Sequence, residues 1–378
     1  MPEAYILEAV RTPIGKRGGA LASIRPDDLA AQCLNGIIDK TGIDPAQIDD
    51  VVMGCVTQVG EQGLNIGRMS VLAAGWPISV PGTTVNRMCA SSLQAVNFAA
   101  QAVMAGTMDL TVGAGTESMS RVNMGSDGGP ISSVIEDRFD VVPQGISAEL
   151  ISERYGLGRA DLDQLAVESH RRALMAQDEH RFDNEIVPVT ISHDGQDTVI
   201  TADEGPRRGS TLEKVATLKP AFKTDGTVTA ASSSQISDGA AAVLIGTKEK
   251  AEELGLKTRA KIKSIAVVGT DPTMMLLGPG PATKKALDKA GLTIDDIDVF
   301  EVNEAFASVV LAWAQDVGAD MDKVNINGGA MALGHPLGCS GARLMVTLLH
   351  EMERQDAKYG LATLCIGFGL AVATIIER

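Results

Sequence analysis

The sequence predicts an α/β fold built from two similar halves, with a further domain inserted into the first. Three observations carry this. First, DKTGIDPAQIDDVVMG, beginning at Asp39, recurs as DKAGLTIDDIDVFEVN, beginning at Asp288, at an offset of 249 positions. In each copy an amphipathic helix ends at a glycine and leads into an apolar strand. Second, the later landmarks keep step. PGTTVNRMCASSLQAVNFAAQAVMAG from Pro81 and VNINGGAMALGHPLGCSGARLMVTLLHEM from Val324 each read as a strand, a tight turn and a long helix. TVGAGTES from Thr111 and TLCIGFGL from Thr363 are both apolar strands running into glycines. Third, the second copy then passes directly into a closing strand, AVATIIER, whereas the first finds its counterpart only at SDGAAAVLIGTKEKAEEL, from Ser237.

The expected domains are therefore 1–119 with 237–258, then 259–378, with 120–236 as the insertion. The insertion is rich in charges and turns, with a helix at ADLDQLAVESHRRALMAQ and extended stretches such as EIVPVTIS. A repeat that occurs only twice excludes a solenoid. In a duplicated α/β fold the site belongs where the halves meet, at strand ends and helix starts.

Composition agrees. At 378 residues the chain exceeds what one core serves, and 44% hydrophobic with 21% charged residues is ordinary for a globular protein. Aromatics are 3%, so the core must be aliphatic, with 40 glycines allowing backbones to approach. A net charge of −15 repels a phosphodiester backbone and argues against nucleic acid as partner. An anionic substrate would need a local basic patch, and Arg207, Arg208, Lys214, Lys219 and Lys223 in RRGSTLEKVATLKPAFK offer one, although a solvated loop face reads the same way. No leader pattern and no membrane-length apolar run is present, so a cytoplasmic protein is expected. Five cysteines without CxxC spacing favour neither a disulfide framework nor a zinc site.

Cys89 falls where a strand turns into a helix, and the free N–H groups and dipole of a helix start are expected to lower its pKa. A buried structural thiol would fit that place as well. His335, in NGGAMALGHPLGCSG, sits in a glycine-rich turn before the equivalent helix; no GK[ST] makes this a phosphate loop. A thiol and an imidazole at equivalent turns of two halves form a pair suited to nucleophilic catalysis. Cys365 ends an apolar strand beside Gly367 and Gly369, whose amides could hold an oxyanion while the thiol moves a proton. Asn303, in NEAFA, stands where another strand ends, a place that also suits a turn residue. Cys33 and Cys55 read as core, Cys339 as a helix start, and His170, His180, His193 and His350 as surface. No metal is expected, and the GxG of VGAGTES lacks the rest of a dinucleotide fingerprint.

Taken in order, NRMCASSLQAV, GTESMS, NEAFA, NGGAMALGHPLGCSGAR and CIGFG resemble the thiolase family along essentially the whole chain. The resemblance implies a layered α-β-α-β-α core and coenzyme A as a co-substrate, not a tightly bound cofactor. It implies Cys89 as acyl-accepting nucleophile, His335 as its activator and Cys365 as the acid/base at the carbon α to the thioester. Asn303 would hold a water for one oxyanion hole, shared with His335, and the amides of Cys89 and Gly367 would form a second. The insertion would bind coenzyme A, with Arg207, Phe222, Ser234, Met275, Ala305 and Phe306 resembling its contacts. A homodimer or homotetramer acting on CoA and acyl-CoA is implied. Ser92, Phe368 and Ala371 depart from the family pattern, and the stretch between GTESMS and QGISAEL is shorter than in biosynthetic relatives. GCVTQVGEQ, SSSQISDGAAAV and NEAFASVVLAWA are most similar to degradative thiolases, including those that handle bulky side chains.

The expected reaction is thiolytic cleavage of a 3-ketoacyl-CoA to acetyl-CoA and a shortened acyl-CoA, through an acyl-Cys89 intermediate. The alternatives are a biosynthetic acetyl-CoA C-acetyltransferase with a smaller pocket, and a protein that holds acyl-CoA without turnover. Cys365 speaks against a decarboxylating ketosynthase, which completes its site with His or Asn.

Overall fold

The computed structural model describes residues 2–193 and 196–378. The first half runs β1 (Tyr5–Arg11), β2 (Gly15–Lys16), α1 (Pro26–Thr41), β3 (Asp50–Gly54), α2 (Ile66–Ala73), β4 (Gly82–Val85), α3 (Ser91–Met104) and β5 (Leu110–Ser118). A long excursion carries α4 (Ser133–Glu136), α5 (Gln144–Tyr155), α6 (Arg159–Asp178), β6 (Val189–His193), β7 (Gln196–Ile200) and α7 (Leu212–Ala216). The chain then returns through β8 (Ser237–Gly246) and α8 (Lys248–Glu253). The second half runs β9 (Ala260–Gly269), α9 (Pro279–Ala290), β10 (Val299–Val302), α10 (Ala307–Val317), α11 (Ala330–Leu333), α12 (Ser340–Gln355), β11 (Tyr359–Ile366) and β12 (Leu370–Glu377).

The duplication is exact in register at several landmarks. β3 and β10 begin at Asp50 and Val299, α3 and α12 at Ser91 and Ser340, and β5 and β11 at Leu110 and Tyr359, always 249 positions apart. Helices α1 and α9 both carry proline in the first turn and stop at a left-handed glycine, Gly42 and Gly291. Strand order repeats too: β4-β3-β5-β8-β1 in one half and β10-β11-β12-β9 in the other, joined where β1 meets β9 through Tyr5–Lys261 and Ile6–Ala260.

Layering follows from which faces are apolar. Helices α3 and α12 lie between the half-sheets, and Leu93, Val96, Leu344 and Leu348 pack with Val243 and Ile245 of β8 and with Leu364 and Val372 of the other half. On the outer face of the first half, Leu29, Leu34 and Ile37 of α1 cover Val51, Val112 and Leu244. Helices α9 and α10 cover the second, through Ala286, Val310 and Trp313 against Phe300, Leu361 and Ile375. Strands β5 and β8 are covered on both faces, which explains why they read as unbroken runs of small and aliphatic residues.

One expected element differs. The strand at Val324 is reduced to a single bridge with Phe300, after which Asn325 (φ 48°) and Gly328 (φ 77°) turn the chain away into α11. Left-handed backbone cannot continue a strand. No helix among the described residues is long and apolar enough to cross a membrane.

The two central helices touch at their starts. A Cβ on Gly341 would lie 2.3 Å from the backbone nitrogen of Leu93, and the Ala342 N–H donates to Ser92 Oγ at 2.9 Å. Ser92, a departure from the family pattern, thus ties one helix to the other. Gly341→Ala should destabilise the protein by about 1–3 kcal/mol or more in urea unfolding, because backbone must move to admit the methyl group. Gly129→Ala, with nothing within 4 Å, should be nearly neutral.

Candidate active site

Cys89 lies two residues before α3, buried, with Val56, Met119 and Leu337 packed around it. Its neighbour Met88 has φ 46°, a left-handed conformation that costs a non-glycine residue free energy and turns the chain sharply into the helix. The Gly367 N–H, the residue's own N–H and the side-chain amide of Gln144 lie near enough to the sulfur to favour its thiolate. Burial outweighs them, and the thiol is pushed up to about 11. This reverses the expected lowering: the helix start and its donors stabilise a thiolate, but removing the sulfur from water costs more.

His335 precedes α12 and is buried. Ser340 donates its hydroxyl proton to the Pro336 carbonyl oxygen at 2.8 Å, so it can only accept from His335 Nδ1, at 2.5 Å. That assigns the ring proton to Nδ1 and leaves a lone pair on Nε2. Burial, with a smaller contribution from the Arg343 charge, takes the imidazole down to about 3, so it is neutral at ordinary pH. Asn303 follows β10, and its Nδ2 lies 3.3 Å from His335 Nε2. Asn303 Oδ1 is buried without a hydrogen-bond partner among the described residues. Asn303 is no helix cap, because α10 starts at Ala307 after Phe306.

Cys365 ends β11, buried. Its pKa is pushed well up, first by burial and then by the Cys89 charge, so the two thiols lie within electrostatic reach of each other. Beyond it come Gly367, whose N–H points at Cys89, and Phe368 in a left-handed conformation with φ 61°. Phe368 donates its N–H to Met275 Sδ at 3.3 Å, and Ala371 is buried beside Gly278.

Glu117, at the end of β5, was not singled out from sequence. Its buried carboxylate accepts from the N–H groups of Val56 (2.9 Å), Thr57 (3.1 Å) and Gly338 (2.8 Å) and from Gln62 Nε2 (2.7 Å). It therefore clamps the loop after β3 to the loop carrying His335. Ser340 and Gln144 were also missed. A serine five residues after a histidine, and a glutamine at a helix start, have no distinguishing sequence signal.

The other predicted positions fall into two groups. Met275, Ala305 and Phe306 share one apolar cluster with Cys365. Phe222 meets Phe306 edge-on at 5.8 Å, and the Ser234 N–H donates to the Ala305 carbonyl oxygen at 2.9 Å. Arg207 stands apart from these, exposed, with its N–H on His170 Nδ1 at 3.2 Å and its guanidinium 3.5 Å from Gln235 Oε1. The basic patch is partly neutralised: Arg208 pairs with Asp178 and Lys223 with Glu153. Among the described residues no group of His, Cys, Asp and Glu is placed to hold a metal ion.

The histidines need correction. His180 is exposed, but His170 is buried beneath Arg207, and His350 is largely covered, its Nδ1–H donating to the Val346 carbonyl oxygen and its Nε2 accepting from the Arg259 guanidinium. Long charged neighbours cover them with their stems, which charge patterns alone do not reveal. The side chain of His193 lies outside the described residues.

Family models described as "Thiolase, N-terminal domain" and "Thiolase, C-terminal domain" match residues 4–249 and 256–378. The chain belongs to the thiolase family. It is 48% identical to a steroid 3-ketoacyl-CoA thiolase, FadA6, of Mycobacterium tuberculosis, over all of this chain and 95% of that protein. It is 47% identical to a beta-ketoadipyl-CoA thiolase of Acinetobacter baylyi, with both chains fully covered. The crystal structure of an acetyl-CoA acetyltransferase from Bacillus anthracis superposes with a TM-score of 0.93 at 39% identity, covering 100% of this chain and 99% of that one. The protein is thus an acyltransferase of CoA-dependent thiolase chemistry, with coenzyme A as co-substrate.

The depressed histidines set a pH dependence. Unfolded, His335 and His170 take up protons near the ordinary histidine value of about 6.5. Folded, they do so only at about 3 and about 4. Between roughly pH 6.5 and 4 the unfolded state binds more protons, so stability must fall as pH falls. Thermal unfolding should show Tm declining across that window, and less steeply in His170→Gln.

Proposed function

We propose that the protein cleaves 3-ketoacyl-CoA with free CoA, using Cys89 as nucleophile. The observation that carries this reading is that two buried thiols, Cys89 and Cys365, lie within electrostatic reach of each other, with the Gly367 backbone near the first. The Cys89 sulfur attacks the 3-keto carbon while its proton passes to the bare Nε2 of His335. The keto oxygen takes the electron pair and is met by the N–H groups of Cys89 and Gly367. Collapse breaks the bond to the α-carbon. The departing acetyl-CoA carries its charge on the thioester oxygen, held by His335 and a water on Asn303, and Cys365 protonates the α-carbon. The raised pKa of Cys365 suits this task, since the thiol keeps its proton until a carbanion equivalent demands it. CoA thiol then gives a proton to Cys365 and attacks the thioester, and Cys89 leaves as its sulfur recovers a proton from His335.

The apolar cluster that Met275, Ala305 and Phe306 form with Cys365, with Phe222 edge-on to Phe306, suits the pantetheine arm, with Ser234 bonded beside it and Arg207 assigned to the phosphates. Residues 120–236 are proposed as the coenzyme-binding insertion within the two halves described above. Cleavage is favoured over synthesis by the relatives named for steroid 3-ketoacyl-CoA and beta-ketoadipyl-CoA, whose acyl groups are larger than acetyl. A homodimer or homotetramer is proposed on the open edge of β4, flanked by Leu64 and Ile78 at 88% and 84% exposure. Sedimentation velocity on the purified protein should give two or four copies; a monomer would end that reading.

Acid quenching during turnover should leave an acyl group on Cys89, detected by peptide mass spectrometry, and Cys89→Ser should lose turnover. Cys365→Ala should still acylate but lose exchange of acetyl-CoA α-hydrogens with deuterium oxide by roughly 10² to 10⁴. An acyl group found elsewhere, or undiminished exchange, would refute these roles. For the coenzyme, Arg207→Ala should raise KM for CoA substrates, more at low salt, and leave a pantetheine thioester unaffected. Arg208→Ala, whose guanidinium is already paired, should do less.

A further inference from the structure

Gln144 is the first residue of α5, a twelve-residue helix of the excursion, so it comes from outside both repeated halves. No motif marks it. Its place is set by packing: Gly145 beside it lies so close to Phe222 that a Cβ would be 2.1 Å from the ring, and Ala148 and Ile151 on the next turns pack with Cys365 and Phe306. The helix is thereby pinned with its first residue over the junction of the halves. There a Cβ on Gly367 would come 3.0 Å from Gln144 Nε2, and the same amide stands near enough to the Cys89 sulfur to favour its thiolate. The amide therefore lies against the same Gly367 backbone whose N–H addresses the nucleophile. A side chain at 367 would crowd it.

We infer that Gln144 is a further catalytic residue, a third hydrogen-bond donor that serves the Cys89 sulfur in the resting enzyme and the oxygen of the acyl group once Cys89 is acylated. The inference rests on the reading of Cys89 as the acyl carrier. When the S–C bond forms, the thiol proton passes to His335 Nε2 and the carbonyl electron pair moves to oxygen. The two backbone N–H groups that faced sulfur are then turned to that oxygen, and the Gln144 amide, packed against one of them, reaches the same place. A neutral donor fits this duty better than a cation. It stabilises charge on sulfur or oxygen without fixing a permanent ion pair that would hold back the thiolate as leaving group. A donor carried by the excursion also couples substrate binding to chemistry: a shift of α5 on CoA binding would move the amide with it.

The test compares wild type with Gln144→Met, which keeps the length and removes the donor, and Gln144→Glu, which keeps the shape and replaces the amide by an acceptor. The titratable groups around Cys89 are Glu117 at the end of β5, Cys365 at the end of β11 and His335 on the loop of Leu337, and all remain in place. The first readout needs no substrate. Alkylation of Cys89 by iodoacetamide should fall about three- to tenfold at pH 8 in Gln144→Met and further in Gln144→Glu. Loss of one hydrogen bond to an anion reduces the thiolate fraction, partly offset by greater intrinsic nucleophilicity. The second is rapid-quench acylation of Cys89, which should slow by roughly 10- to 10³-fold with KM for CoA unchanged. A residue that only supported the fold would move Tm and KM and leave the alkylation rate alone. Wild-type alkylation and acylation rates in both variants overturn the inference, while failure of the wild-type enzyme itself to acylate Cys89 overturns the reading beneath it.

Discussion

The contact between the starts of α3 and α12 is the constraint on which the site depends. The two helices can only approach this closely because Gly341 faces the Leu93 backbone and because Ser92 receives the Ala342 N–H instead of presenting an aliphatic side chain. Each helix brings the loop that precedes it, one ending in Cys89 and the other holding His335. Neither loop carries a regular hydrogen-bond ladder, so something else must hold them. Glu117 holds the second, accepting from Gly338, from Val56 and Thr57 of the loop after β3 and from Gln62, and Asn86 of the first donates its Nδ2 to the Val56 carbonyl oxygen. A buried carboxylate is costly unless its lone pairs are filled, and four donors fill them. Burial still pushes its pKa up, which means that the clamp and the site share one dry region.

That dryness decides the resting state. A thiol at about 11 and an imidazole at about 3 form a neutral pair, not a thiolate and an imidazolium. Charge appears only when substrate offers an acceptor, and fixed donors then meet it. A protonated Cys89 thiol is a poor partner for stray electrophiles, and in a region of low dielectric each nearby donor counts for more than it would in solvent. Ser340 contributes by holding the imidazole in the tautomer that leaves Nε2 unprotonated beside Asn303.

Duplication explains why the site is asymmetric although the fold is not. The position that is Gly54 in the first half, jammed against the Ser92 backbone, is Asn303 in the second, and its amide turns to His335. Cys89 corresponds in register to Gly338, whose N–H serves Glu117. Equivalent backbone thus supplies a buried thiol on one side and a structural anchor on the other. Local chemistry diverged where the backbone did not have to.

Much of this was legible in the chain itself. The repeat, the excursion and the position of every catalytic candidate on a strand end or helix start follow from apolar period, glycine placement and motif order, because those signals are local and the residues that carry them act within a few positions. Cys89, His335, Asn303 and Cys365 could be named for the same reason. The tertiary structure alone decided their protonation, since desolvation depends on everything packed around a group and reversed the expected shift at Cys89. It alone decided that Gln144 lies against Gly367, that His170 is buried beneath Arg207, and that Arg208 is paired with Asp178. Each of these is a contact between segments distant in sequence, and only the fold determines which distant segments meet.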